Sequence, residues 1–96
     1  MSDEFKRDSE IKARYALAVL RVAQMADQET AARLVLGLAR DLPHPDERRE
    51  IAVLHFEAIE AFEKLAESLR LSAVAPPLWR AATAAASKWL GVVERK

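Results

Sequence analysis

The residues able to do chemistry in this chain are few. There are two histidines, His44 and His55, and no cysteine. Thiolate nucleophiles, thiolate metal sites and disulfides are therefore excluded. Histidine is the side chain best suited to general acid–base work near neutral pH, and His55 has Arg48 and Arg49 shortly upstream. Glu57, Glu60, Glu63 and Glu67 recur at helical spacing, the pattern a carboxylate metal face requires. A bundle di-metal centre needs a Glu three residues before a histidine on two helices. Ala52 holds that place before His55 and Asp41 before His44, so the carboxylates read as a solvated acidic face and no metal or cofactor is expected. Gly-rich phosphate loops, zinc-ligand spacings and Gly-x-Ser-x-Gly are also absent from the sequence. His44, in Pro43-His44-Pro45, reads as a turn residue near a helix cap.

The spacing from Arg48 or Arg49 to His55 resembles the Arg-x(4–6)-His motif of the HEPN family, helical bacterial domains that often act as RNases. Only Arg48, Arg49 and His55 carry the resemblance. It implies that Arg49 and His55 act together on a phosphodiester, usually across a dimer. The competing reading places His55 among core residues, because it falls on the stripe of Ile51, Leu54, Ala58, Phe62, Leu65 and Leu69.

Short basic clusters, Lys6-Arg7 with Lys12 and Arg14 and then Arg48-Arg49, raise nucleic-acid binding as a further alternative. The Pro43–Pro45 turn offers a helix–turn–helix junction. The helix after it opens with Asp46, Glu47 and Glu50, whose charges repel phosphate. Over the whole chain fifteen basic residues balance fifteen acidic ones, giving no general pull toward polyanions. Nucleic acid is accordingly disfavoured.

The elements that must position these residues are helices. The chain has 96 residues, enough for one domain that buries roughly 65% of its unfolded surface. Proline-bearing breaks at 42–45 and 73–77 divide it. Helical periodicity predicts helices over about 8–41, 45–71 and 77–94, after a flexible N-terminus at 1–7, with no strands. Pro45 suits a first helical position. Short connections make neighbouring helices antiparallel. The expected fold is thus an all-α antiparallel bundle of three long helices, or four if the first breaks near Asp27. That break turns on Asp27-Gln28-Glu29-Thr30. Asp27 is able to cap a new helix, but no Gly or Pro sits at the junction, and continuity is the first expectation. The core stripe of the first segment is read as Ile11, Tyr15, Val19, Val22 and Ala26, followed by Ala31, Leu34, Val35, Leu38 and Leu42. The third long segment presents Leu78, Ala82, Ala85, Trp89 and Val93.

Apolar residues off these stripes carry the functional expectation. Val53 and Phe56 lie off the second helix's stripe, and Leu17 and Leu20 off the first. Trp79 and Leu90 flank the last, with Thr83 and Ala86 between them. Several per helix imply cover on more than one side, which points to a second chain. The alanines at 81–86 allow close helix approach, and Trp is enriched at interface anchors. The sequence therefore predicts a non-catalytic protein–protein interaction or oligomerisation module: an adaptor, accessory subunit or inhibitor. Its partner would be a second copy or another protein. No run of 18 apolar residues suggests a membrane span, and no apolar run follows the N-terminal residues as in a secretory signal, so a cytoplasmic site is expected. Ten arginines against five lysines and the absence of asparagine suggest a GC-rich bacterial origin.

Overall fold

The structure, a computed structural model, describes residues 3–41, 49–71 and 76–95, with side-chain environments over 7–40, 53–71 and 76–94. Among these residues the chain forms four helices and no strand: α1 (Asp3–Met25), α2 (Gln28–Asp41), α3 (Arg49–Arg70) and α4 (Pro76–Arg95). The helix expected to run unbroken over 8–41 is therefore two helices. Helix also begins at Asp3, within the stretch expected to be flexible. Residues 42–48, with Pro43, His44, Pro45 and Arg48, lie outside the described residues.

The break needs neither glycine nor proline because Asp27 supplies it chemically. Thr30 N–H donates to Asp27 Oδ1 at 2.8 Å, and Thr30 Oγ1 donates to Asp27 Oδ2 at 3.1 Å. The Asp27 carbonyl accepts the first bond of the new helix, from Ala31 N–H at 2.8 Å. Asp27 is thus the N-cap of α2, satisfying donors that every helix start leaves open. Glu29 sits in the first turn and Arg40 in the last, matching the helix dipole at both ends. The end of α1 tightens through Ala26 N–H to the Ala23 carbonyl at 3.2 Å.

The helices form a ring in which α1 packs on α2, α2 on α3, α3 on α4 and α4 on α1. Residue pairings set the directions. Arg14 pairs with Glu94, whereas Ala23 and Trp79 line one cleft, so α1 and α4 run antiparallel. His55 stacks on Trp89 while Leu69 and Pro76 line one cleft, so α3 and α4 are antiparallel too. Gln28, at the start of α2, donates from Nε2 to the Leu69 carbonyl at 2.8 Å, near the end of α3. The extents, 42 × 20 × 19 Å, suit a bundle about one long helix tall.

The interior is built on Phe62, Trp89, Leu20, Leu38, Leu65, Val35 and Val93, all fully buried. Each such side chain contributes about 1.5–3 kcal/mol through removal of apolar surface from water. The stripe read for α3 holds over its described residues: Leu54, His55, Ala58, Phe62, Leu65 and Leu69 are buried. In α2, Ala31, Val35 and Leu38 are buried, and in α4, Ala82, Trp89 and Val93.

Most of the stripe read for α1 is turned away from the core, although Val19 is half-buried against it. Ile11, Tyr15 and Val22 are 60%, 57% and 55% exposed. The buried face is instead Ser9, Ala13, Ala16, Leu20 and Ala23. Three alanines on that face flank Leu20, the one large apolar residue of α1 that is fully buried, while Ile11, Tyr15, Val22 and Met25 are left outside.

Candidate interaction surface

The outward face of α1 is a seam of apolar residues with coiled-coil spacing. Ile11, Tyr15, Ala18, Val22 and Met25 follow one another at alternating steps of four and three residues, and all five are exposed. Met25 is the most open, at 79%. A stripe confined to these positions is narrow, two side chains wide, the form that receives one partner helix rather than a broad core. At its middle, Ala18 leaves room for a close helix crossing.

The flanks of the seam are basic. Arg7, Arg14 and Arg21, seven residues apart and exposed, run along one edge, and Lys12 stands on the other. From Ile11 to Met25 the sequence contains no Asp or Glu. Lys12 pairs with Asp8 at 2.6 Å, and Arg14 with Glu10 at 3.0 Å and with Glu94. The hydrogen bond to Glu10, with the charge of Glu94 next, raises the Arg14 pKa above its usual value. Arg7 and Arg21 enter no ion pair among the described residues.

The anchors expected from sequence are spread over three environments. Val53 and Phe56 are about half exposed on α3, at 50% and 47%. Trp79, Thr83 and Leu90 are partly buried, with Trp79 and Leu90 packed against the core. Trp79 also lines a small cleft at the α1–α2 end of the bundle with Ala23, Ala31 and Leu69. Ala86 is fully buried; it is an interior contact of α4, not surface, because the bundle closes over it. Leu20, read as off-stripe, is likewise core, and Leu17 is half-buried. The structure therefore does not gather the expected anchors into one patch.

His55 is 1% exposed, and its ring stacks on Trp89 with centroids 4.5 Å apart and planes 16° from parallel. Attack on a phosphodiester requires the catalytic imidazole within hydrogen-bond reach of the reacting group, and here the ring is enclosed within the bundle. Arg49 opens α3, but its side chain lies outside the described ones. Glu57, Glu60, Glu63 and Glu67 are all exposed. Among the described residues no group of three or more His, Asp or Glu is placed to hold a metal ion. The hydrogen bond from Arg70 holds the Glu67 carboxyl below its usual range.

A cleft of about 740 Å³ runs between α2 and α3, over Ala32, Leu36 and Ala66. Its rims carry the internally matched pairs Arg33–Glu29 and Arg70–Glu67, at 2.6 and 2.7 Å. No helix among the described residues is long and apolar enough to cross a membrane.

Comparison with protein-family models, with curated proteins and with solved structures finds no match to this chain.

Ile11, Tyr15 and Val22, expected in the core from sequence, and Met25 are surface residues. Two signals bore on them. The spacing is that of a strict seam, and the alanines one step round the helix make an equally apolar second face.

Proposed function

We propose that this chain is a non-catalytic protein–protein interaction module, an adaptor, accessory subunit or inhibitor that acts by packing helix on helix. One observation carries the reading: four large apolar side chains, Ile11, Tyr15, Val22 and Met25, stand exposed along a single face of α1. Isolated exposed apolar residues are ordinary, but a contiguous row rimmed by charge is the form of an interaction site. Val53 and Phe56 on α3 add a smaller second patch. The expected setting is a bacterial cytoplasm, with either a second copy or another protein on the seam.

The test compares the wild-type chain with a Tyr15→Glu/Val22→Glu variant. Mass in solution is measured by light scattering across a wide concentration range. Proteins retained by each from the source extract are identified and rebuilt from purified components. A reconstituted complex, with itself or a foreign chain, that forms with the wild type and not the variant supports the reading. A wild type that stays monomeric and yields no reconstituted partner contradicts it.

A further inference from the structure

We infer that the occupant of the α1 seam is an acidic amphipathic helix of a different protein, and this rests on the interaction-module reading. The geometry asks for a helix, because the seam is one stripe of a/d-type positions over four turns of α1. A membrane-seeking helix shares the basic flanks but carries Trp, Phe or Leu on its apolar face, where this seam has Ile11, Tyr15, Ala18, Val22 and Met25. The charge asks for acid. In a helix pair, residues beside the seam face residues beside the partner's seam. Here those residues are Arg7, Arg14 and Arg21 on one edge and Lys12 on the other, with no carboxylate from Ile11 to Met25.

A second copy answers these charges badly. With two α1 helices antiparallel, like edges meet, so Arg14 and Arg21 of one copy face the same edge of the other. With the helices parallel, Arg7 of one copy faces Lys12 of the other. The nearest carboxylate on the seam line is Asp8, one step before Ile11, and Lys12 already holds it at 2.6 Å, so neither arrangement offers Arg21 a free carboxylate. The acidic residues of α3 do not supply the match. Its outward row from Val53 is apolar only at Val53 and Phe56 and then becomes Glu60, Glu63 and Glu67, which would set carboxylates against Val22 or Met25. A partner helix with apolar residues at alternating three- and four-residue steps and Asp or Glu on both flanks satisfies both demands. Arg7 and Arg21, without ion pairs among the described residues, would receive its carboxylates at no internal cost.

The probe is a pair of fluorescent three-heptad peptides with Leu at the seam positions, one with Glu on both flanks and the other with Lys. Binding to the full chain is read by anisotropy at low salt. The Glu peptide is expected to bind at least about tenfold more tightly than the Lys peptide, an advantage that shrinks as salt is raised. Arg7→Glu/Arg21→Glu, checked for an unchanged thermal melt, should reverse the preference. Val22→Glu should abolish binding of both.

Equal binding of the two peptides, or a preference unmoved by the charge reversal, overturns the inference. So does binding of neither peptide. In that case a dimer broken by Val22→Glu leaves the interaction-module reading standing with a second copy as occupant. Retention on phosphatidylserine-rich vesicles, lost in Val22→Glu, replaces both with a lipid surface. A monomer inert to peptides and vesicles sinks the inference, and with no reconstituted partner the module reading falls as well.

Discussion

The imidazole of His55 on α3 lies flat against the indole of Trp89 on α4, with centroids 4.5 Å apart and both rings fully buried. The stack joins two antiparallel helices within the core. Such aromatic contacts stabilise by about 0.5–1.5 kcal/mol beyond the area they bury. The Trp89 indole N–H has no acceptor among the described residues, so packing rather than hydrogen bonding holds that ring.

His55 is therefore expected to act on stability. His55→Ala should cost on the order of 2–4 kcal/mol in chemical denaturation, the range for opening a core cavity. His55→Phe, which keeps a flat ring against Trp89, should cost less. A His55→Ala chain as stable as the wild type would remove the residue from the core.

The orientation of α1 is testable by contrast. Leu20→Ala should destabilise by about 2–5 kcal/mol, because Leu20 is fully buried. Tyr15→Ser and Val22→Gln should each change the stability of the free chain by no more than about 0.5 kcal/mol. Denaturant midpoints at matched slopes decide the matter. The opposite ranking would mean that α1 is rotated with its large residues inward.

Acid should weaken the α1–α2 junction. The hydrogen bond from the Thr30 N–H holds the Asp27 carboxyl below its ordinary pKa. The folded chain then binds a proton there less readily than the unfolded chain. Asp27 contributes its stability in full above the unfolded value, about 3.9, and loses it as pH falls through the lowered folded value. Glu67, lowered by Arg70, acts in the same sense. Thermal melts from neutral into acid solution should show Asp27→Ala a few degrees below the wild type at neutral pH, the gap closing in acid. A gap that stays constant would show that the carboxylate charge is not what caps α2.

Trp79 is half-buried against the core. Trp79→Ala should lower stability, by less than the roughly 3–5 kcal/mol typical of a fully buried aromatic, with the far-ultraviolet helical signal retained. Loss of that signal would make Trp79 a principal core residue.

The sequence made the helical class, the antiparallel packing and the α3 stripe legible, because Leu54, Ala58, Phe62, Leu65 and Leu69 form one row of apolar side chains with acids opposite. It left the break at Asp27 open, because a side-chain cap has the same composition as an exposed helical turn. It misplaced the α1 face for a physical reason. Hydrophobic weight favours Ile11, Tyr15 and Val22, whereas the bundle buries Ala13, Ala16, Leu20 and Ala23 with Val19 at the margin, and α1 is apolar on both sides. Choosing between them takes knowledge of how near α2 and α4 approach. The seam was illegible for the same reason, since its residues carry the pattern of a core stripe. Val53 and Phe56 were legible because their neighbours on α3 are large and the core row there has no rival.

Tyr15 is the only tyrosine in the chain, so nitration by tetranitromethane reads the middle of the α1 seam at a single site. The measurement is the rate of Tyr15 nitration in the dilute chain and then with the Glu-flanked peptide at saturation. A rate near that of free tyrosine amide is expected in the chain alone, with strong protection once the peptide is bound. Slow nitration in a chain whose mass is that of a monomer, or a rate unchanged by saturating peptide, would contradict the outward seam as the docking surface.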